Sequence, residues 1–168
     1  MKIEKAIKQD VDQIVSISKR LLHGASNQEK GFLIRELKQE VVHKHIDEFY
    51  VARANGEIAG YLWLNKHYPA DRLTYTKMIE EVALSSTIYV KQVAVDPLFA
   101  RRGVATKLYE AVFSMYPHQR ISACIATKPL NNTPSIRYHE KLGFTKVGSL
   151  VMTNYLGFDR YEADVFIR

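Results

Sequence analysis

From Val93 to Tyr116 the chain reads VAVDPLFARRGVATKLYEAVFSMY, an apolar strand that passes through a tight basic turn into an amphipathic helix. The strand ends at Asp96-Pro97 and the turn carries Arg101-Arg102-Gly103. Apolar residues then recur at Val104, Leu108, Ala111, Val112 and Met115, the spacing of one helical face. Ile121 to Ala126, ISACIA, follows as a buried strand. A strand, a helix and a strand in this order predict a parallel pair joined by a right-handed crossover. The turn leaves the first N–H groups of its helix without partners inside it, a place for an acidic ligand.

The rest of the chain surrounds this unit. Lys2 to Ile7 reads as a first strand, and Asp10 is placed to cap a helix whose apolar residues Val11, Ile14, Ile17 and Leu21 share one face. His23 to Asn27 breaks the pattern, and a second helix is expected from about Glu29 to His45 on the stripe Phe32, Leu33, Leu37 and Val41 or Val42. Asn55-Gly56 between Phe49–Ala52 and Ile58–Leu64 predicts a hairpin. Pro69 to Ser86 fits a short helix or a flap equally well, whereas Thr87 to Val95 is a long β-branched strand. Asn132-Thr133-Pro134 opens a short helix that ends at Gly143, and two strands, about Lys146 to Thr153 and Tyr161 to Ile167, close the chain. The expected fold is a mixed α/β (α+β) domain spanning residues 1–168, with a largely antiparallel sheet.

A length of 168 residues, with 46% hydrophobic and 25% charged side chains, suits one domain of ordinary size. The absence of any apolar run near membrane-spanning length, of a leader-like N-terminus and of a second cysteine beside Cys124 predicts a cytoplasmic protein away from membranes. Inside its strand Cys124 reads as a small core thiol, not a nucleophile. The net charge of +6 favours acidic partners. Nucleic acid is not expected among them, because no recognition helix or aromatic-basic interleaving is evident. No metal-ligand spacing points to a metal, and exposed final strands leave a homodimer open.

The turn lacks the Gly-Lys-Ser/Thr ending of an ATP-binding loop, and it has one glycine where a dinucleotide fingerprint needs three. Val93-Ala94-Val95-Asp96-Pro97 with Arg101-Arg102-Gly103-Val104-Ala105 and Leu108 resembles the acetyl-CoA signature of the GNAT superfamily of N-acyltransferases. Asn132, Ser135, His139 and Gly143-Phe144 fall at the spacings of that superfamily's later segment. One position departs: Ala100 stands where the signature usually opens with Gln or Arg. The resemblance implies a GNAT-like domain whose parallel strands splay around the pantetheine arm of acetyl-CoA. Contacts to this cosubstrate then fall to Val93, Ala94 and Val95 on the strand, to the backbone from Arg101 through Arg102, Gly103, Val104 and Ala105 to Thr106, and to Asn132 and Ser135.

Transfer to an amine requires a neutral nucleophile, a donor for the developing oxyanion and a proton for the departing thiolate. A lysine-like amine is neutral in only about one molecule in a few thousand at pH 7, so a base or a desolvating pocket must help. The resemblance gives the oxyanion to a backbone N–H near Val93. It also puts His139 in the slot where many members carry an acidic tyrosine, with Tyr138 one residue earlier as the less favoured acid. One residue turns a helix by about 100°, so the two are not expected to face the sulfur together. Full proton delivery by His139 demands an upward pKa shift. No base is identified: Glu80, Glu81, His23 and His67 lie in stretches that could border the acceptor site, each equally well a surface residue, and a water chain would serve as well. The acceptor implied is a primary amine of a small molecule or a peptide, and a non-catalytic acyl-CoA-binding or sensing protein is the alternative.

Overall fold

The computed structural model describes residues 1–24 and 29–168. Its centre is an eight-stranded mixed sheet in the order β1-β2-β3-β5-β6-β8-β7-β4. The strands are β1 (Lys2–Lys5), β2 (Phe49–Ala54), β3 (Glu57–Asn65), β4 (Thr76–Met78), β5 (Ile88–Val95), β6 (Ile121–Lys128), β7 (Thr145–Tyr155) and β8 (Phe158–Ile167). Among the described residues five α-helices accompany them: α1 (Val11–Arg20), α2 (Gln39–Lys44), α3 (Ala70–Leu73), α4 (Val104–Met115) and α5 (Thr133–Lys141). All neighbouring strands run antiparallel except β5 and β6, which are parallel and joined through α4.

Period-two alternation places the core on both faces of the sheet. Phe49, Val51, Tyr61 and Trp63 pack with Ile14 and Ile17 of α1 on one face. Tyr50, Ala52, Leu62 and Leu64 pack with Leu108, Tyr109 and Val112 of α4 on the other. A third cluster of Leu150, Ala163 and Val165 with Tyr68 and Tyr89 fills the far end, where β7 and β8 meet the segment after β3.

Two expectations are corrected. The second helix is confined to Gln39–Lys44. Gly31 adopts φ +91°, and the chain crosses the top of the sheet, with Leu33 donating to the Leu21 carbonyl (2.8 Å) and Leu37 donating to Ser18 Oγ (2.9 Å). Phe32, Leu33 and Leu37 are buried as their spacing implied, but by irregular chain. Asp10 does not bond into α1; its carboxylate accepts from the Ile7 N–H and pairs with Arg53. The ambiguous stretch from Pro69 to Ser86 holds α3 and the edge strand β4, too short to announce itself by alternation. The joint expected at His23 to Asn27 is described only as far as Gly24; Ala25 to Asn27 lie outside the described residues.

Candidate active site

The basic turn is built by close packing. Asp96, buried, accepts from the Leu98 N–H (3.0 Å) and pairs with Arg20 (2.8 Å), which fixes the exit of β5. Gly60 on β3 lets the strand lie against the start of α4, since a Cβ there would stand 2.6 Å from the Ala94 carbonyl and 2.9 Å from Val104 Cγ1. Arg101 (φ +62°) and Gly103 (φ +72°) both take the left-handed conformation, and successive N–H groups in such a turn converge as an anion nest. The first bond into α4 is from Lys107 to the Gly103 carbonyl (3.0 Å), so the N–H groups of Val104, Ala105 and Thr106 precede the helical ladder.

Beside this turn the sheet opens. The β5–β6 register runs only through Ile88↔Ile121, Tyr89↔Ser122 and Val90↔Ala123, although β5 continues to Val95 and β6 to Lys128. On β5 an extra residue, Lys91, interrupts the pairing with β3 between Val90 opposite Leu64 and Gln92 opposite Trp63, and a bulge of this kind bends the strand away. Alternate N–H and C=O groups beyond Val90 therefore face the gap without a strand partner.

Two cavities meet across the gap. The larger, about 830 Å³, is lined by Val93, Ala94 and Val95, by Arg101 and Gly103 through Thr106, and by Tyr138. The smaller, about 150 Å³, lies towards β6 and is lined by Trp63, Arg72, Lys91, Cys124 and His139 among others. Phe32, Leu33, Val93, Asn132 and Ser135 border both. Among the expected cosubstrate contacts, Val93 to Val95, Arg101, Gly103 to Thr106, Asn132 and Ser135 all line the larger cavity; Arg102 is exposed, stacked over Phe99.

Asn132 does more than line a wall. Its buried amide caps α5 through the Ser135 N–H (3.4 Å) and donates to the Phe32 carbonyl (2.9 Å), tying the crossing segment to the helix. Adjacent on α5, Tyr138 and His139 point into different places. Tyr138 reaches Thr106 Oγ1 (3.3 Å) at the turn. His139 is buried, with Nδ1 donating to the Ser135 carbonyl (2.7 Å). That tautomer leaves Nε2 to accept from the Tyr109 hydroxyl (2.6 Å). Burial pushes the His139 imidazole below its ordinary value, against the smaller raising effect of the Ser135 hydrogen bond. The upward shift that proton delivery requires is thus absent.

Tyr109 was not among the residues singled out in the sequence; helical spacing puts it beside the core residue Leu108, and only the fold turns its hydroxyl to His139. Arg72 was missed for a different reason, since it stands in the stretch without pattern. It donates to the hydroxyls of Tyr89 (2.5 Å) and Tyr155 (2.7 Å), and Tyr68 lies against Cys124 Sγ (3.4 Å) in the same cluster. Burial pushes the Cys124 thiol up, so it is held as a thiol, as a core role predicts. None of Glu80, Glu81, His23 and His67 lines the smaller cavity. Glu80 and Glu81 lie on an exposed shelf, His67 is exposed, and His23 packs on Phe158. Among the described residues no cluster of metal-ligating side chains occurs, and no helix is long and apolar enough to cross a membrane.

Comparison with known proteins agrees with this architecture. The chain is 26% identical over 147 residues to an N-alpha-acetyltransferase of Sulfurisphaera tokodaii, covering 87% of this chain and 81% of that protein. It is 27% identical over 139 residues to an N-alpha-acetyltransferase of Saccharolobus solfataricus, covering 82% and 76%. An N-acetyltransferase structure from Staphylococcus aureus Mu50 superposes with a TM-score of 0.67 at 17% identity, over 99% of this chain and 96% of that one, which shows a shared fold. Residues 11–144 match the acetyltransferase (GNAT) family, whose members generally use acetyl-CoA. The chain belongs to that family and is an N-acetyltransferase, an enzyme that moves an acetyl group to an amine.

Proposed function

We propose that residues 1–168 form one catalytic unit that binds acetyl-CoA in the larger cavity and receives a primary amine from the smaller one. The observation that carries this reading is the junction of the two cavities at Val93, Asn132 and Ser135, across strands that stop pairing at Val90 and Ala123. The nest from Arg101 to Thr106 takes the pyrophosphate, and the unpaired edges of β5 and β6 take the pantetheine amides as a missing strand would. A backbone N–H at Val93 serves the oxyanion. Curated relatives that act as N-alpha-acetyltransferases favour an α-amino terminus as the acceptor.

The amine attacks the thioester carbonyl directly: a C–N bond forms, the C–S bond breaks, and the proton shed by the amine restores the thiol of CoA. Burial favours the thiol form of Cys124, which disfavours an acyl-enzyme route. His139 acts as a neutral ring, held by Ser135 and Tyr109, that orients the sulfur; Tyr138, hydrogen-bonded at the turn, belongs with the cosubstrate. Among the described residues no carboxylate lines the smaller cavity, so the neutral amine is favoured by partial desolvation and nearby cations. A non-catalytic acyl-CoA sensor would need no acceptor cavity, and the smaller cavity beside the first supports the catalytic reading.

Initial rates of CoA release, measured while acetyl-CoA and an amine are both varied, should give intersecting double-reciprocal lines, as sequential binding requires. Parallel lines would indicate a covalent acetyl-enzyme and overturn direct attack.

A further inference from the structure

The wall of the smaller cavity is one-sided in charge. Among the described residues Arg35, Arg72 and Lys91 line it and no Asp or Glu does; Glu48, which accepts from the Trp63 indole, and Asp71 act on Lys91 from outside the wall. Arg35 is exposed at the rim. Lys91 is half-buried over the Trp63 ring, 3.7 Å from its centroid. Arg72 is drawn in between two phenols, donating one N–H to Tyr89 and one to Tyr155, and its guanidinium also lies over both rings (5.6 and 5.7 Å).

A guanidinium stays charged at any physiological pH and carries five N–H donors. The two hydroxyls account for two of them and the Cys124 thiol meets the group as well, while among the described residues no carboxylate forms a salt bridge with Arg72. Neutral hydroxyls satisfy hydrogen bonds but leave the charge uncompensated, and a partly buried unpaired charge is costly unless something else neutralises it. Tyr89 and Tyr155 fix the plane of the group, so its remaining edge is held ready for a planar or tetrahedral anion.

We propose that the acceptor is an anionic amine, and that Arg72, seconded by Lys91 and Arg35, binds its carboxylate or phosphate while its amino group reaches the thioester past Val93. The inference rests on the reading of this cavity as the acceptor side. It excludes polyamines and other polycationic acceptors, which three cations would repel. The same three charges disfavour the ammonium form of the acceptor nitrogen, so the anion supplies the binding and the cations supply the neutral nucleophile.

The test compares acceptors in matched pairs at saturating acetyl-CoA: free-N-terminus peptides differing only in Glu, Gln or Lys at the second residue, alanine against alaninamide, and phosphoethanolamine against ethanolamine. The pair with the largest preference identifies the source of the anion. In at least one pair kcat/KM should favour the anionic member about tenfold or more, the scale of a hydrogen bond to a charged group. Arg72→Met should bring that ratio towards one, and Arg72→Lys, which keeps the charge, should restore part of it. Equal or better use of neutral and cationic acceptors in every pair overturns the proposal, as does a preference that survives Arg72→Met. If Arg72→Met fails to fold, the wild-type ratios decide alone. A variant that alters the KM for acetyl-CoA but not for any amine refutes the cavity assignment itself; one that weakens anionic and neutral amines equally refutes only the anion subsite.

Discussion

His139 is a helix residue with both ring nitrogens engaged, and that engagement decides its chemistry. Nδ1 must donate, because the Ser135 carbonyl can only accept, and Nε2 is left to take the Tyr109 proton. Charging the ring would place an imidazolium in a buried site, where loss of solvation disfavours it. His139→Phe should therefore lower kcat roughly 10- to 100-fold, at or below the lower end of the usual range for an acid–base group, while acetyl-CoA affinity by titration calorimetry changes little. Unchanged kcat at saturation would remove His139 from the reaction. The same geometry sets a pH dependence. A histidine whose folded pKa is depressed from the ordinary 6.5 binds more protons when unfolded, so stability is present above about pH 6.5 and is lost as the pH falls towards the folded value. Denaturant titrations from pH 7.5 down to 5 should show this loss in the wild type and a smaller one in His139→Phe. The spacing from Asn132 to Gly143 brought His139 forward as a site residue and separated it from Tyr138. The direction of the shift was not legible, because it depends first on how deeply the fold buries the ring, which local spacing does not show.

At the scale of elements, the turn before α4 depends on a glycine from a different strand. Gly60→Ala would press a methyl group on the Ala94 carbonyl and Val104, at the join of β5 and α4. Overpacking of this kind costs about 1–3 kcal/mol, and Tm falls by about 2–4 °C for each of these in a chain of this size. Because the displaced atoms belong to the wall of the larger cavity, acetyl-CoA affinity should fall with Tm; a fall in Tm with unaltered affinity would show that the turn is positioned independently of β3. The elements carrying strong local rules were readable: the Asn55-Gly56 hairpin, the β5–α4 unit, and α5 with its Asn-Thr-Pro start. The segment from Glu29 to Lys38 was not. Its apolar spacing satisfies a helix, and it is the hydrogen bonds to Leu21, Ser18 and Asn132, with the left-handed Gly31, that hold it in irregular chain beside the cavities. Long-range partners of this sort leave no periodic trace.

For the whole molecule, the eight strands divide into a half built on β1, β2, β3 and β5 and a half built on β6, β8, β7 and β4. Their seam in the sheet is three residue pairs, Ile88↔Ile121 to Val90↔Ala123. A ligand that lies along that seam and binds only the folded chain stabilises it by about 2.7 kcal/mol at a hundred times its Kd. Acetyl-CoA should accordingly raise Tm by roughly 5–10 °C, with ATP and NAD without comparable effect. A rise with ATP or NAD alone would contradict the assignment of the nest.

The short seam also bears on how the protein opens. Regions with few shared hydrogen bonds can unfold separately from the remainder, at a free energy below that of global unfolding. In the ligand-free protein the β7–β8 hairpin, on the other side of the seam from α1 and its packing face, should exchange its amide protons sooner than β2 and β3. With acetyl-CoA bound the two halves should exchange together. The cosubstrate then supplies, for as long as it stays, the cooperativity that the polypeptide left out of its own sheet.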